Sequence, residues 1–269
     1  TYYWRTAQKQ VLPYFGNMDA TTITQEQIED HFETLDYSSK YLKDIRLVLK
    51  LSLDLVVKEK LRPDNPAEKI EIVSDKKSLG IEIEHLEQDR QEVWLDIFEK
   101  DKRQWVYLFE SILLTGARPE EACGFKWCAM DFEKDIVHIN SAYKDIILYD
   151  ENMNKIGHTR GDGDLKTAES YRDLPMHPRL KRVLLQIKAA RMEEYQKSGK
   201  KWDENGYIFL NENGQPFVSE NLTNKMPQFI KKYKLEHLTT YGLRHSFATL
   251  CSTLGMPPEV LHVIMGHAD

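Results

Sequence analysis

Thr115-Gly116-Ala117-Arg118-Pro119-Glu120-Glu121 ends one apolar helical run and begins another helix within seven residues. Gly116 can take the left-handed conformation that closes a helix, and Pro119 suits a first turn, where its missing N–H has no helical partner to lose. Arg118 therefore sits at a helix start, where unpaired N–H groups and positive potential already favour an anion. Glu121 reads as the partner that orients this turn, because a carboxylate acting beside a phosphate would repel it.

Tyr241-Gly242-Leu243-Arg244-His245 repeats the design. Thr240 is a candidate N-cap and Arg244 falls in the first turn that follows. Tyr241 lies about one turn from Arg244 and offers a phenol to the same ligand, while His245 reads as a packing residue. Arginine keeps its proton in proteins, and its planar fork matches two phosphate oxygens. Two of them can stabilise the charge that builds on a phosphorane without a metal. The pattern points to phosphoryl transfer on DNA.

The composition bounds this reading. The 269 residues, 41% hydrophobic and 30% charged, suit two domains with real cores and contain neither a membrane-length apolar run nor a signal-peptide start. Cys123, Cys128 and Cys251 are too few for a disulfide framework and read as buried packing residues. A formal charge of -6 argues against a uniformly basic coat. The distribution is uneven, however. Lys166 to Lys201 holds ten Lys or Arg against four Asp or Glu, and Leu79 to Asp101 holds two against eight. Segregated charge would leave a basic groove with an acidic far side.

Along the chain, Thr24-Gln25-Glu26-Gln27 has capping-box spacing before apolar Ile28, Phe32 and Leu35. A longer helix follows from Ser38 and Ser39 to about Lys60. Its Lys40, Lys43, Arg46 and Lys50 share one third of the circumference, a candidate DNA-facing stripe whose alternative is an ordinary solvated face. Arg62-Pro63-Asp64-Asn65-Pro66 ends it. The stretch from Ala67 to about Leu86 lacks helical period and reads as connecting chain, and Glu87 to Thr115 is helical again. Asp135 to Ile139, Asp145 to Tyr149 and Ser170 to Met176 predict a small antiparallel sheet. Helices are predicted from Pro178 to about Gln196, after Ser219, from Tyr241 to Leu254, and from Pro257-Pro258 to Met265. The fold class is mainly α with a small antiparallel sheet, in two domains: helical over 1–75, a linker over 76–86, and mixed α+β over 87–269.

These motifs, in this order, resemble the tyrosine recombinases, the phage-integrase family, and look most like integrases of conjugative transposons. Thr115 to Glu121 is similar to the family's first arginine box, and Leu165-Lys166-Thr167 before Arg172-Asp173-Leu174-Pro175 to its lysine hairpin. Leu243-Arg244-His245-Ser246 is similar to the second arginine box, and Met265-Gly266-His267 to the Leu-Gly-His segment. The resemblance implies a core-binding domain followed by a catalytic domain, two halves that enclose duplex DNA.

By that resemblance, Arg118 and Arg244 hold the nonbridging oxygens of the scissile phosphate. Lys166 protonates the departing 5′ oxygen, and His267 donates to the phosphate or helps position the nucleophile. Tyr241 stands where the family usually has histidine, which keeps a hydrogen bond and leaves proton transfer there open. Lys40, Lys43, Arg46, Lys50 and Lys225 are the implied DNA contacts. The family's nucleophilic tyrosine follows the final histidine by about one helical segment. This chain stops at Asp269, so it is expected to be a truncated piece that does not cleave in cis. The resemblance further implies double-stranded DNA as partner, a dimer on one site and a tetramer on two, no metal or cofactor, no membrane, and a bacterial cytoplasm, at the nucleoid. A type IB topoisomerase and a non-enzymatic DNA-binding relative are the alternatives.

Overall fold

The computed structural model describes residues 2–72, 84–151, 153–165 and 168–266. The chain divides into two compact units, Thr1–Glu82 with Tyr149–Lys155, and Ile83–Leu148 with Ile156–Asp269.

The first unit is helical: α1 (Tyr2–Thr6), a π-helical turn (Ala7–Val11), α2 (Leu12–Phe15), α3 (Gln25–Glu33) and α4 (Ser39–Lys58). The capping box predicted for α3 is present. The Gln27 N–H donates to Thr24 Oγ1 at 3.2 Å, and the Thr24 N–H donates to Gln27 Oε1 at 3.0 Å. At the start of α4 the Tyr41 N–H donates to Ser38 Oγ at 3.4 Å. The apolar face of α4, with Ile45, Val48, Leu49 and Leu53, closes a core over Val11, Phe15, Ile23 and Ile28.

Ala67 and Ile70 are buried in that core too, which corrects the reading of the chain from Ala67 onward as a bare connection. Polar ties fold it back on α4. Asn65 Nδ2 donates to the Lys50 carbonyl at 2.9 Å and to Asp54 Oδ1 at 2.7 Å, and Arg46 Nη1 donates to the carbonyls of Glu68 and Ile70. Residues 73–83, which hold most of the expected linker, lie outside the described residues. Leu86 is part of the second unit's core.

The second unit begins with α5 (Gln88–Lys100) and α6 (Gln104–Thr115). The break between them, within one predicted helical run, is at Asp101. Its buried carboxylate accepts from Arg103 Nε at 2.8 Å and from the Tyr233 hydroxyl at 2.8 Å. Helix α6 is apolar around nearly its whole circumference and is correspondingly buried. It carries Thr115 and Gly116 to the site.

The short α7 (Pro119–Cys123) leads into two small sheets. One is antiparallel, in the order β1 (Met130–Asp131), β2 (Ile136–Ile139), β5 (Arg172–Pro175), with Ile139 opposite Arg172 and Ile136 opposite Pro175. The other pairs β3 (Ala142–Tyr149) with β4 (Lys155–Gly163). The predicted single sheet is thus two, and β4 went unread because Gly157, Gly161 and Gly163 interrupt its β pattern. Helices α8 (Pro178–Ser198), α9 (Ser219–Tyr233), α10 (Thr240–Thr253) and α11 (Pro258–Met265) complete the unit.

Two further expectations change. Only Cys123 is buried, since Cys128 is exposed and Cys251 intermediate. The acidic and basic stretches also meet instead of lying apart: Glu99 is 3.4 Å from both Arg179 and Arg182, and Arg179 also pairs with buried Glu110. Much of the basic stretch is spent on such internal pairs, because a long amphipathic helix docked on α5 and α6 brings its cations to their carboxylates. Among the described residues no helix is long and apolar enough to cross a membrane.

Candidate active site

The ends of α6 and α11, the early turns of α7 and α10, and the start of β5 build the site. Gly116 caps α6 at φ +66°, and a β-carbon there would stand 2.4 Å from the Phe247 ring. Glycine is therefore required both by conformation and by the approach of α10. The turn sets Arg118 as N-cap of α7, its backbone N–H donating to Glu121 Oε2 at 2.8 Å. Its guanidinium also reaches Glu121, with Nη1 2.8 Å from Oε1, while Nη2 donates to the Gly266 carbonyl.

Arg244 comes from α10. The cap of this helix is Thr239, not Thr240: its side chain accepts the Gly242 N–H at 2.9 Å. Arg244 lies in the second turn and is only 4% exposed. Nη1 donates to the Gly116 carbonyl at 2.7 Å and Nη2 to the Met265 carbonyl. Burial, with Arg118 beside it, pushes its pKa down to about 10, so it stays charged at neutral pH.

A third arginine, which the sequence reading quoted in a motif but gave no role, completes the cluster. Arg172 opens β5, where residues alternate inward and outward, so it shares the inner face with Leu174. Nε donates to the Ile264 carbonyl at 2.6 Å, Nη1 to Ser170 O at 2.8 Å and Glu121 Oε1 at 3.1 Å, and Nη2 to Glu121 Oε2 at 2.9 Å. The carbonyls of Ile264, Met265 and Gly266, at the end of α11, thus each receive one arginine. Cations at a helix C-terminus meet the negative end of its dipole and satisfy carbonyls that have no helical partner.

Glu121 is the hub. It is 2% exposed, and burial alone would raise its pKa; the hydrogen bonds and charge of Arg172, then Arg118, outweigh that and hold it below the ordinary glutamate value. Its expected role as orienting partner matches this geometry.

Tyr241 donates its hydroxyl to Glu120 Oε2 at 3.2 Å. Burial and the Glu120 charge raise its pKa, so the phenol is neutral and a hydrogen-bond donor. His245 is half-buried, its pKa lowered by burial and then by Arg244. Lys166 and His267 lie outside the described residues. Their chain neighbours are informative: Leu165 is buried in the core, Ser170 Oγ is 3.5 Å from Arg118 Nη1, and Gly266 carries the carbonyl that Arg118 reaches.

Of the implied DNA contacts in the first unit, Lys40 and Lys43 are exposed on α4. Arg46 is tied to the Glu68 and Ile70 carbonyls, and Lys50 lies 3.1 Å from Asp54. Lys225 is partly exposed on α9.

Three arginines, from the start of α7, the second turn of α10 and the start of β5, thus gather at the end of α11 in a mostly helical unit with small antiparallel sheets. The phage integrase family matches residues 84–269, and this chain belongs to that family. Over 261 residues it is 24% identical to a XerC-like tyrosine recombinase of Caldanaerobacter subterraneus, covering 94% of this chain and 66% of the relative. It is 30% identical to the transposase of transposon Tn916 from Enterococcus faecalis over 193 residues, 67% of this chain and 44% of that protein. The chain thus spans about half to two thirds of the length of these relatives. Among solved structures, the Tn1549 transposon integrase in complex with transposon right end DNA shares its fold, with a TM-score of 0.76 at 21% identity over 99% of this chain and 84% of the other. A lambda integrase dimer bound to a core site gives 0.67 at 15%, over 100% and 87%.

Proposed function

We propose that this chain is the core-binding and catalytic part of a site-specific DNA recombinase that cuts and rejoins strands through a 3′-phosphotyrosyl intermediate, serving integration and excision of a mobile element. The observation that carries the reading is the convergence of Arg118 and Arg244, from two helix starts, on adjacent carbonyls at the end of α11. A guanidinium carries five N–H donors in a planar fork that matches phosphate oxygens. The pair can therefore take the nonbridging oxygens of one phosphate, with Tyr241 as a neutral donor beside them.

In the proposed reaction a tyrosine oxygen attacks phosphorus and the bond to the 5′ oxygen breaks. Lys166 gives that oxygen its proton, and the arginines hold the charge of the phosphorane. The phosphodiester energy stays in the adduct, and a 5′ hydroxyl of the partner strand reverses the step. Lys166 is tethered to the site by the chain. Four chain steps link it to Ser170, at most about 14 Å of extended backbone, and Ser170 contacts Arg118. His267 directly follows Gly266.

The names of the relatives support a mobile-element role, and the lambda integrase structures, a dimer on a core site and a tetramer on a Holliday junction, support dimeric and tetrameric assembly on DNA. We place the protein in the bacterial cytoplasm, at the nucleoid, and assign no cofactor. The first unit, residues 1–75 in this reading, would contribute Lys40 and Lys43 to phosphate contacts.

The test is a nicked half-site incubated with the intact gene product. A covalent protein–DNA adduct is expected without added metal, linked through a tyrosine, and lost in Arg118→Ala and Arg244→Ala while filter binding persists. Binding without adduct would favour the non-enzymatic relative. Relaxation of supercoils without strand exchange would favour the topoisomerase.

A further inference from the structure

We infer that Arg172 is a positioning residue that keeps the Arg118 charge available to the phosphate; this rests on the recombinase reading above. The argument is one of charge and donor counting. Glu121 is buried beside Arg118, and each of its oxygens accepts two N–H groups: Oε1 from Arg118 Nη1 and Arg172 Nη1, Oε2 from the Arg118 backbone and Arg172 Nη2. Its acceptor sites are filled. With Arg172 present the trio carries a net charge of +1. Without it the carboxylate would have only Arg118 as counter-ion, and the pair would be neutral where a phosphate dianion-like transition state must be stabilised.

Arg172 is suited to this by its place. It is 8% exposed, all three guanidinium nitrogens are engaged inside the protein, and none is turned toward solvent as a DNA contact would be. The same side chain fixes what surrounds Arg118. Nη1 holds the Ser170 carbonyl, whose residue meets Arg118 through its hydroxyl, and Nε holds the Ile264 carbonyl two residues before the Gly266 carbonyl that Arg118 uses. Gly266 packs on the guanidinium so closely that a β-carbon would stand 2.9 Å from Nη1.

The experiment compares adduct formation by the intact protein on a normal half-site and on one with a methylphosphonate at the scissile position, which removes one negative charge from the reacting group. Arg172→Met should lose about 100-fold on the phosphate and much less on the methylphosphonate, because the neutral substrate has less need of an uncompensated Arg118. Adding Glu121→Gln to Arg172→Met should recover about tenfold on the phosphate, since it removes the carboxylate left without its own counter-ion. Arg172→Lys, which keeps the charge and loses the fork, should retain a phosphate-to-methylphosphonate ratio close to wild type. Equal losses on both substrates, with the double variant no better than the single, would reduce Arg172 to a stabilising residue and overturn the inference. Should Arg172→Met not fold by circular dichroism, Arg172→Gln against Arg172→Lys makes the same comparison. Failure of the wild-type protein to form any adduct would instead sink the recombinase reading itself.

Discussion

Arg118 and Arg244 end on the carbonyls of two adjacent residues, Gly266 and Met265, although they arise from separate helix starts far apart in the chain. This shared footing brings the two guanidinium groups near enough for the Arg118 charge to help lower the Arg244 pKa. The end of α11 gives both side chains a common footing. Several measurable consequences follow from that footing and from the buried Glu121 beneath it.

Gly266 has φ +59° and touches Arg172. Gly266→Ala should cost about 1–2 kcal/mol for the left-handed backbone alone, and more if the guanidinium must shift. Adduct formation should fall further than stability does, because the displaced carbonyls are those that align Arg118 and Arg244. Thermal melts beside adduct yields check this, and unchanged yields in a folded variant would detach the end of α11 from the clamp.

The Glu121 pKa is depressed from its ordinary value of 4.5 by its arginines. An unfolded chain therefore binds this proton before the folded one does. The stabilisation is complete above the ordinary value and is lost as pH falls through the lower, folded value. Denaturant melts of wild type and Glu121→Gln should differ most near neutral pH and converge as pH falls from the ordinary value through the lower, folded one. A gap that widens under acid would reverse the assigned sign.

Lys40 and Lys43 are the exposed cations of α4, whereas Arg46 and Lys50 are engaged inside their unit. If the exposed pair contacts phosphate, Lys40→Ala with Lys43→Ala should flatten the dependence of log affinity on log salt by about 1.8. Arg46→Ala should instead lower the melting temperature. Salt titrations of binding and thermal melts on the same variants separate the two roles.

Lys166→Ala should slow cleavage of a normal 5′-oxygen leaving group far more than of a 5′-thio group, which departs without needing a proton. Single-turnover rates on the two substrates provide the comparison. Equal slowing would remove Lys166 from the acid role.

The helices were legible because their apolar period and caps agree. Thr24 and Gln27 form the box that their spacing announces, and Pro178 and Pro258 sit in the first turns of α8 and α11. Arg118 and Arg244 were legible because glycine, proline and threonine punctuate the chain beside them. Strand β4 was hidden by its three glycines, and the fold-back at Ala67 and Ile70 by side-chain ties to backbone carbonyls, which leave no periodic trace. Arg172 was missed for another reason. Its inward position follows from alternation with Leu174, and a buried charge demands a partner, but only the fold brings Glu121 of α7 to it.

The central claim is that Arg118 and Arg244 serve one phosphate. The most direct test is a structure of the intact protein trapped on its half-site. The account predicts the guanidinium groups of both residues within about 3 Å of nonbridging oxygens of the scissile phosphate, with Glu121 still bound to Arg172. Finding the two arginines on different phosphates, or still held only by the protein while the scissile phosphate is bound elsewhere, would contradict it.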